Sequence, residues 1–258
     1  MNNEEKEKLK FFCKTGIIVL SVMVVFFAGI HFIPKVVSVS GGNIKKIPIY
    51  CVDQKEKKVS LSFDAAWGNE QTATILEILA KHNVKVTFFM TGGWVEKYPE
   101  DVKAIAAAGH DLGNHSENHK HMSQLAKQQS MEEIKSPHDK VKELTGIDMN
   151  LFRAPYGDYN NTLIEAVKDS GYYCIQWDVD SLDWKDYGVD CIVKNILDNK
   201  HLGDGSIILM HNGAKYTPAA LEAVITGLQD KGYEIVPISQ LIYTGEYTID
   251  HEGRQFAK

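Results

Sequence analysis

The chain has 258 residues, of which 44% are hydrophobic and 24% charged, and it carries a formal net charge of -6. An acidic balance argues against nucleic acid as a partner, because a phosphate backbone recruits basic surfaces, and it leaves a neutral sugar polymer open. The four cysteines make no CxxC pair and no zinc-ribbon spacing, and Cys174, inside an apolar run, reads as a buried thiol.

Residues 1–15 read as a cytoplasmic N-terminus, with Lys6, Lys8, Lys10 and Lys14 ahead of an apolar run over 16–33 that Pro34 ends. That run approaches the ~20 residues a bilayer span needs. The preceding lysines orient it with the N-terminus inside and the rest of the chain exported. The alternative is a secretory signal cut after Ser38-Val39-Ser40, but the run exceeds the roughly 7–15 residues of a signal core. Residues 34–58 read as a linker or stalk, in which Ile47-Pro48-Ile49-Tyr50 is long enough for a short edge strand.

From Val59 the rhythm changes. Val59-Ser60-Leu61-Ser62-Phe63 alternates as a strand does. Asn69 is the predicted cap of a helix to about His82, followed by a strand over Lys85–Met90 and a helix from Pro99 to Ala108 that stops at Gly109. His110–Asn114 is a third strand. Met131–Leu144 has helical spacing, with Pro137 predicting a late start or a kink. Strands at Met149–Arg153, Tyr172–Trp177, Ser206–Met210 and Glu234–Val236 alternate with helices at 160–170, 190–200 and 217–230, and a short helix begins at Ser239. Residues 243–258 read as a loose polar tail, which bounds the folded domain at 59–242.

Strand–helix alternation repeated about seven times implies a mostly parallel sheet with helices outside it. The count fits a closed or nearly closed (β/α) barrel better than an open five-stranded sheet. In such barrels the chemistry gathers at the C-terminal ends of the strands. The polar residues fall there: Asp64 after strand one, His115 and His119 after strand three, Arg153 and Tyr156 after strand four, Asp180, Asp183 and Trp184 after strand five, and His211 after strand six. Two imidazoles four residues apart share a face if the segment is a helical turn, and both rings then reach one ion. Each residue also has a bland reading. The histidines fit a polar surface loop, Asp64 and Arg153 a structural ion pair, Asp183 a turn cap, Trp184 a core ring, and His211 a satisfied strand-end histidine.

The motifs together resemble the polysaccharide deacetylases of the NodB-homology, carbohydrate-esterase type, over about Val59 to Leu241. Ser62-Phe63-Asp64 resembles the start of that family's first motif, and His115-Ser116-Glu117-Asn118-His119 its His-Ser-x-x-His motif. Arg153-Ala154-Pro155-Tyr156-Gly157, Asp180-Ser181-Leu182-Asp183-Trp184 and Leu209-Met210-His211 resemble the remaining three, in order. The resemblance implies a deformed (β/α) barrel that removes acetyl groups from N-acetylated sugars of cell-wall glycan, with peptidoglycan first in line. It implies Asp64 as general base held by Arg153, His211 as general acid held by Asp183, and the Tyr156 backbone N–H at the oxyanion. Trp184 and Leu209 would shape the methyl pocket, and His115 and His119 would hold a divalent metal, with zinc expected. One departure stands out. The family's second aspartate, a metal ligand, is here Ala65. The competing expectations are a catalytically silent glycan-binding or signalling module on the same scaffold, and an O-acetyl esterase.

Overall fold

Val59-Ser60-Leu61-Ser62-Phe63 alternates because the two faces of its strand meet different surroundings. The computed structural model describes Lys6 and residues 45–258. The membrane span expected at 16–33 lies outside the described residues, and among those described no helix is long and apolar enough to cross a membrane. The strand runs over Lys58–Ala65 and is β2, after β1 at Cys51–Val52. Val59, Leu61, Phe63 and Ala65 join the core cluster shared with the helices. On the other face, the Ser60 and Ser62 hydroxyls donate to the carbonyls of Val236 and Ile208, at 2.6 and 2.8 Å.

The same two-sidedness recurs in β3 (Thr87–Met90), where Phe88 and Met90 join the helix-side cluster and Phe89 a second, inner one with Ile49, Ile207 and Ile238. Next come β4 (Asp111–Asn114), β5 (Leu151–Phe152), β6 (Tyr173–Cys174), β7 (Val179–Asp180), β8 (Ile207–His211) and β9 (Glu234–Ile235). Their order across the sheet is β6-β5-β4-β3-β2-β8-β7, with β9 pairing the first residues of β2, and every pair is parallel. Around the sheet lie α1 (Thr72–Lys81), α2 (Gly92–Lys97), α3 (Pro99–Ala107), α4 (Lys127–Thr145), α5 (Asn161–Asp169), α6 (Val189–Leu197), α7 (Thr217–Asp230) and α8 (Ile238–Leu241).

The sheet curls into a half-barrel whose two edge strands are joined by the chain and not by a ladder. The expected fifth strand, Tyr172–Trp177, is strand only at Tyr173–Cys174. That part is β6, on one edge of the sheet, and residues 175–178 then carry the chain across to β7 on the opposite edge. From Cys174 to Val179 the chain reaches at most about 18 Å, so the two edges must curl towards each other. Ile49 seals part of that gap: its N–H donates to Cys174 O at 2.8 Å and its carbonyl accepts from Gln176 N at 2.7 Å.

Other expectations shift at their ends. The helix expected from Asn69 starts at Thr72, and Asn69 spends its side chain on Asp101 at 2.7 Å. Helix α2 has Gly92 and Gly93 in its first turn, poor helix formers, yet the Thr91 hydroxyl caps it by accepting from Trp94 N. Helix α4 begins earlier than expected, at Lys127, because the Gln129 side chain reaches back to Ala126 N, and it runs through Pro137 as one element. Residues 45–58 and 243–258, expected as stalk and loose tail, pair with each other instead. β1 lies parallel to β11 (Arg254–Ala257), which pairs antiparallel with β10 (Tyr247–Ile249). Buried Gln255 ties the tail down through both polar atoms, to Tyr243 N and Tyr243 O.

Asp178, on the crossing, accepts from Ser206 Oγ and Ile207 N, both at 2.9 Å. Burial outweighs those hydrogen bonds and pushes its carboxyl up to about 6. A raised carboxylate pKa means that the folded state holds the proton longer, so this group's contribution is full below about pH 4 and is lost as pH rises through 6. Asp178→Asn should therefore gain stability relative to wild type between pH 4 and 7, on the order of 2–3 kcal/mol. Thermal unfolding of both proteins across that range measures it, and a difference that does not change with pH would refute the assignment.

Candidate active site

At the C-terminal ends of the strands lies a cleft of about 470 Å³. Asp64, His115, His119, Tyr156, Trp184, Leu209 and His211, all expected from the sequence, line it. The other two expected residues, Arg153 and Asp183, are fully buried and grip the cleft's carboxylate and imidazole.

Asp64 closes β2 and is 4% exposed. Arg153 Nη1 donates to its Oδ1 at 2.7 Å, and Nη2 donates to Ser62 Oγ and to Gln176 O, at 2.8 and 3.2 Å. The guanidinium lies 4.1 Å from the ring centroid of Phe89 and 5.6 Å from that of Trp177. Burial alone pushes the Asp64 carboxyl up, but Arg153, His115 and His211 together outweigh it and leave the group below its ordinary value. The site therefore keeps a buried, ionised carboxylate.

Across the cleft, His211 ends β8. Its Nδ1 is 2.7 Å from Asp183 Oδ1, and Asp183 Oδ2 accepts from His211 N and from the Thr217 hydroxyl. Thr217, the first residue of α7, thus spends its hydroxyl on Asp183. Burial works against a charged imidazole, yet Asp183, then Asp64 and Asp180, reverse it and leave the His211 pKa raised. With Nδ1–H given to Asp183, Nε2 is the atom left for chemistry in the cleft.

The histidine segment is a loop, not the helical turn that the i, i+4 spacing suggested. Ser116 and His119 adopt φ of 65° and 53°, left-handed values that cost an ordinary residue energy and recur at functional sites. The loop is fastened throughout. Asn114 Oδ1 accepts from Ser116 N, and Ser116 Oγ from His119 N. Glu133 on α4 accepts from Asn118 N, Asn118 Nδ2 and Lys120 Nζ. The result still brings the rings together, with centroids 5.0 Å apart.

His115 Nδ1 lies 2.8 Å from Arg153 O, and its Nε2 lies 3.5 Å from Asp64 Oδ2. Burial pulls both imidazoles down, His119 to about 4, so both are neutral donors at pH 7. Two neutral imidazoles suit a borderline metal such as zinc. Among the described residues, however, no three His, Cys, Asp or Glu side chains group to hold an ion. Ala65 is fully buried among apolar residues, and one Asp64 oxygen is taken by Arg153. The donor set fits an ion held by two histidines and falls one short of the three protein ligands usual in catalytic zinc sites.

Tyr156 also has positive φ, 61°, between Pro155 and Gly157. Its exposed ring lies between His119 and His121, with centroids at 4.5 and 4.3 Å. The sequence reading passed over Trp67, Trp177 and the lining role of Asp180. Trp67 had a usable signal, three residues beyond Asp64 on the same strand-end loop. Trp177 had none, because it read as the end of a buried strand.

A family model described as polysaccharide deacetylase matches residues 52–175. The peptidoglycan-N-acetylglucosamine deacetylase PgdA of Listeria monocytogenes is 34% identical over 196 residues, which are 76% of this chain and 41% of PgdA. The peptidoglycan-N-acetylmuramic acid deacetylase PdaA of Bacillus subtilis is 32% identical over 205 residues, 76% of each. The chain thus spans about two fifths of PgdA and about three quarters of PdaA. Among solved structures, wild-type BA3943 of Bacillus anthracis, described as a CE4 family pseudoenzyme, superposes with a TM-score of 0.72 at 33% identity, covering 75% of this chain and 68% of that one. A mutant of BA3943 is described as having restored enzymatic activity.

Proposed function

Because the chain belongs to the polysaccharide deacetylase family, we propose that it hydrolyses the acetamide of N-acetylated amino sugars in cell-wall glycan, peptidoglycan before others. One observation carries the reading. A buried Asp64–Arg153 pair and a part-buried His211–Asp183 pair open onto the same cleft, with opposite protonation preferences. Two titratable groups pushed apart in this way are a base and an acid available together.

In this reading Asp64 takes a proton from water as the water oxygen bonds to the acetamide carbon. The Tyr156 backbone N–H donates to the oxygen that gains charge. His211 Nε2 gives its proton to the nitrogen as the C–N bond breaks, leaving a free amine and acetate. Trp184 and Leu209 enclose the methyl group and exclude water from it. His115 and His119 would hold a divalent ion, which when bound acidifies water and polarises a carbonyl. Arg153 keeps Asp64 ionised and aimed.

Acetate release from purified wall glycan, with and without added zinc, tests the reading. No release from any N-acetylated glycan under either condition favours the second reading, a silent glycan-binding module. The two-donor histidine set supports that second reading.

The rate should fall as pH drops through the lowered Asp64 pKa and as it rises through the raised His211 pKa. Asp183→Asn removes the carboxylate that holds the His211 cation, so the alkaline limb should move to lower pH. A limb that stays in place would show that another group sets it.

The apolar run at 16–33 anchors this domain on the outer side of the membrane in the same proposal. External protease on protoplasts should digest the domain. Full protection until lysis would rule that placement out.

A further inference from the structure

We propose that Trp184, Lys185 and Tyr187 form a second sugar subsite beside the cleft, selective for a sugar that carries a carboxylate, such as an N-acetylmuramyl unit with a free lactyl group. This rests on the reading of the cleft as a glycan site, and it names the neighbour of the sugar that reacts.

Among the described residues five large apolar side chains are exposed: Trp67, Ile147, Tyr156, Trp184 and Tyr187. Four of the five are aromatic, and three of those line the cleft. The fourth, Tyr187, is the most exposed of all at 67% and lies three residues beyond Trp184. Isolated exposed rings need no explanation, but rings gathered at one cleft mouth do. A pyranose presents an apolar face of C–H groups and a polar rim, which suits an aromatic face left open to water.

The short turn that bears them is built to stay in place. Leu182 and Asp186, at either end of it, have φ of 54° and 55°. Leu182 N donates to Asp180 Oδ1 at 2.8 Å, and Asn195 Nδ2 donates to Ser181 O at 3.0 Å. Inside the turn, Lys185 N donates to Leu182 O and Asp186 N to Asp183 O, both at 3.1 Å. A pre-set platform loses little freedom on binding.

Lys185 supplies the selectivity. Its ammonium lies 5.1 Å from the Trp184 ring centroid and 5.9 Å from that of Tyr187. It forms no ion pair with any described carboxylate, unlike Lys46, Lys58, Lys81 and Lys140. A chitin-like neutral chain has no use for an ammonium beside the rings, whereas a lactyl carboxylate on a stacked sugar does.

The test is calorimetric binding of two soluble tetrasaccharides to the intact protein. One alternates N-acetylglucosamine with N-acetylmuramic acid bearing free lactyl groups, and the other is tetra-N-acetylchitotetraose. Wild type should bind the muramyl chain more tightly. Tyr187→Ala should weaken both by about 2–10-fold, and Tyr187→Phe should not. Lys185→Gln should weaken only the muramyl chain, by up to about fivefold, with Lys185→Arg restoring it. Equal binding of both chains by wild type, or wild-type affinity in Tyr187→Ala and Lys185→Gln, overturns the subsite. Binding is read without turnover, so a protein that binds as described but releases no acetate refutes the deacetylase reading alone.

Discussion

His211→Ala should lower acetate release by about 10²–10⁴-fold, the range of a positioned acid or base, and leave a folded protein. His211 sits at the rim of the cleft, and Asp183 keeps two other partners after the change, the backbone N of residue 211 and the Thr217 hydroxyl. Asp64→Asn should cost as much in rate but more in stability. From its sequence Asp64 is a polar strand-end residue whose bland reading is a structural ion pair with Arg153. Its burial, and its bond to an Arg153 that has no exposed surface, make that pair costly to break. Neutralising one member of a buried pair leaves the other charged with less to answer it, at about 3–5 kcal/mol. Ser62 Oγ and Gln176 O still accept from Arg153 and soften the loss. Thermal unfolding must accompany the rate measurement. Near-wild-type release by either folded variant would remove its assigned role.

The strand ends were legible because buried parallel strands are apolar runs, and a polar residue directly after one stands out. Asp64, Arg153 and His211 were found in that way, and His115 and His119 by their spacing. The crossing at 175–178 was not legible. Ile175-Gln176-Trp177 reads as a continuation of β6, and only the pairing of β7 with β8 shows that the chain has changed edges. The i, i+4 spacing of His115 and His119 suggested a helical turn, and the segment is a loop that nonetheless sets the two rings side by side. The loop brings the rings together through two left-handed residues and the Glu133 clamp, and no sequence period encodes either. The tail misled because alternation in a three-stranded edge sheet is weak. What fastens it is buried Gln255, a polar residue that composition assigns to the surface.

Ala65→Asp should destabilise the metal-free protein by about 3 kcal/mol or more, the scale of an unpaired buried charge, and zinc should return much of the loss. Read from sequence, the position beside Asp64 is an open place at the metal. In the structure Ala65 has no exposed surface, packs with Val59, Leu61 and Phe63, and does not line the cleft. A carboxylate there enters an apolar layer next to the Asp64 charge, and both carboxyl pKa values should rise. For a domain of this size each kcal/mol moves the melting temperature by about 2–4 °C, so a fall of roughly 6–12 °C is expected without metal. If strand-end flexibility lets the new oxygen turn towards His115 and His119, it completes a three-ligand set. Zinc at a hundred times its dissociation constant then stabilises by about 2.7 kcal/mol. The decisive comparison is the zinc-induced rise in melting temperature, larger in Ala65→Asp than in wild type, and removed from both by His115→Ala. An equal rise in the two proteins would mean that the oxygen stays among the apolar side chains. The ion would then depend on two histidines, or on a donor outside this set.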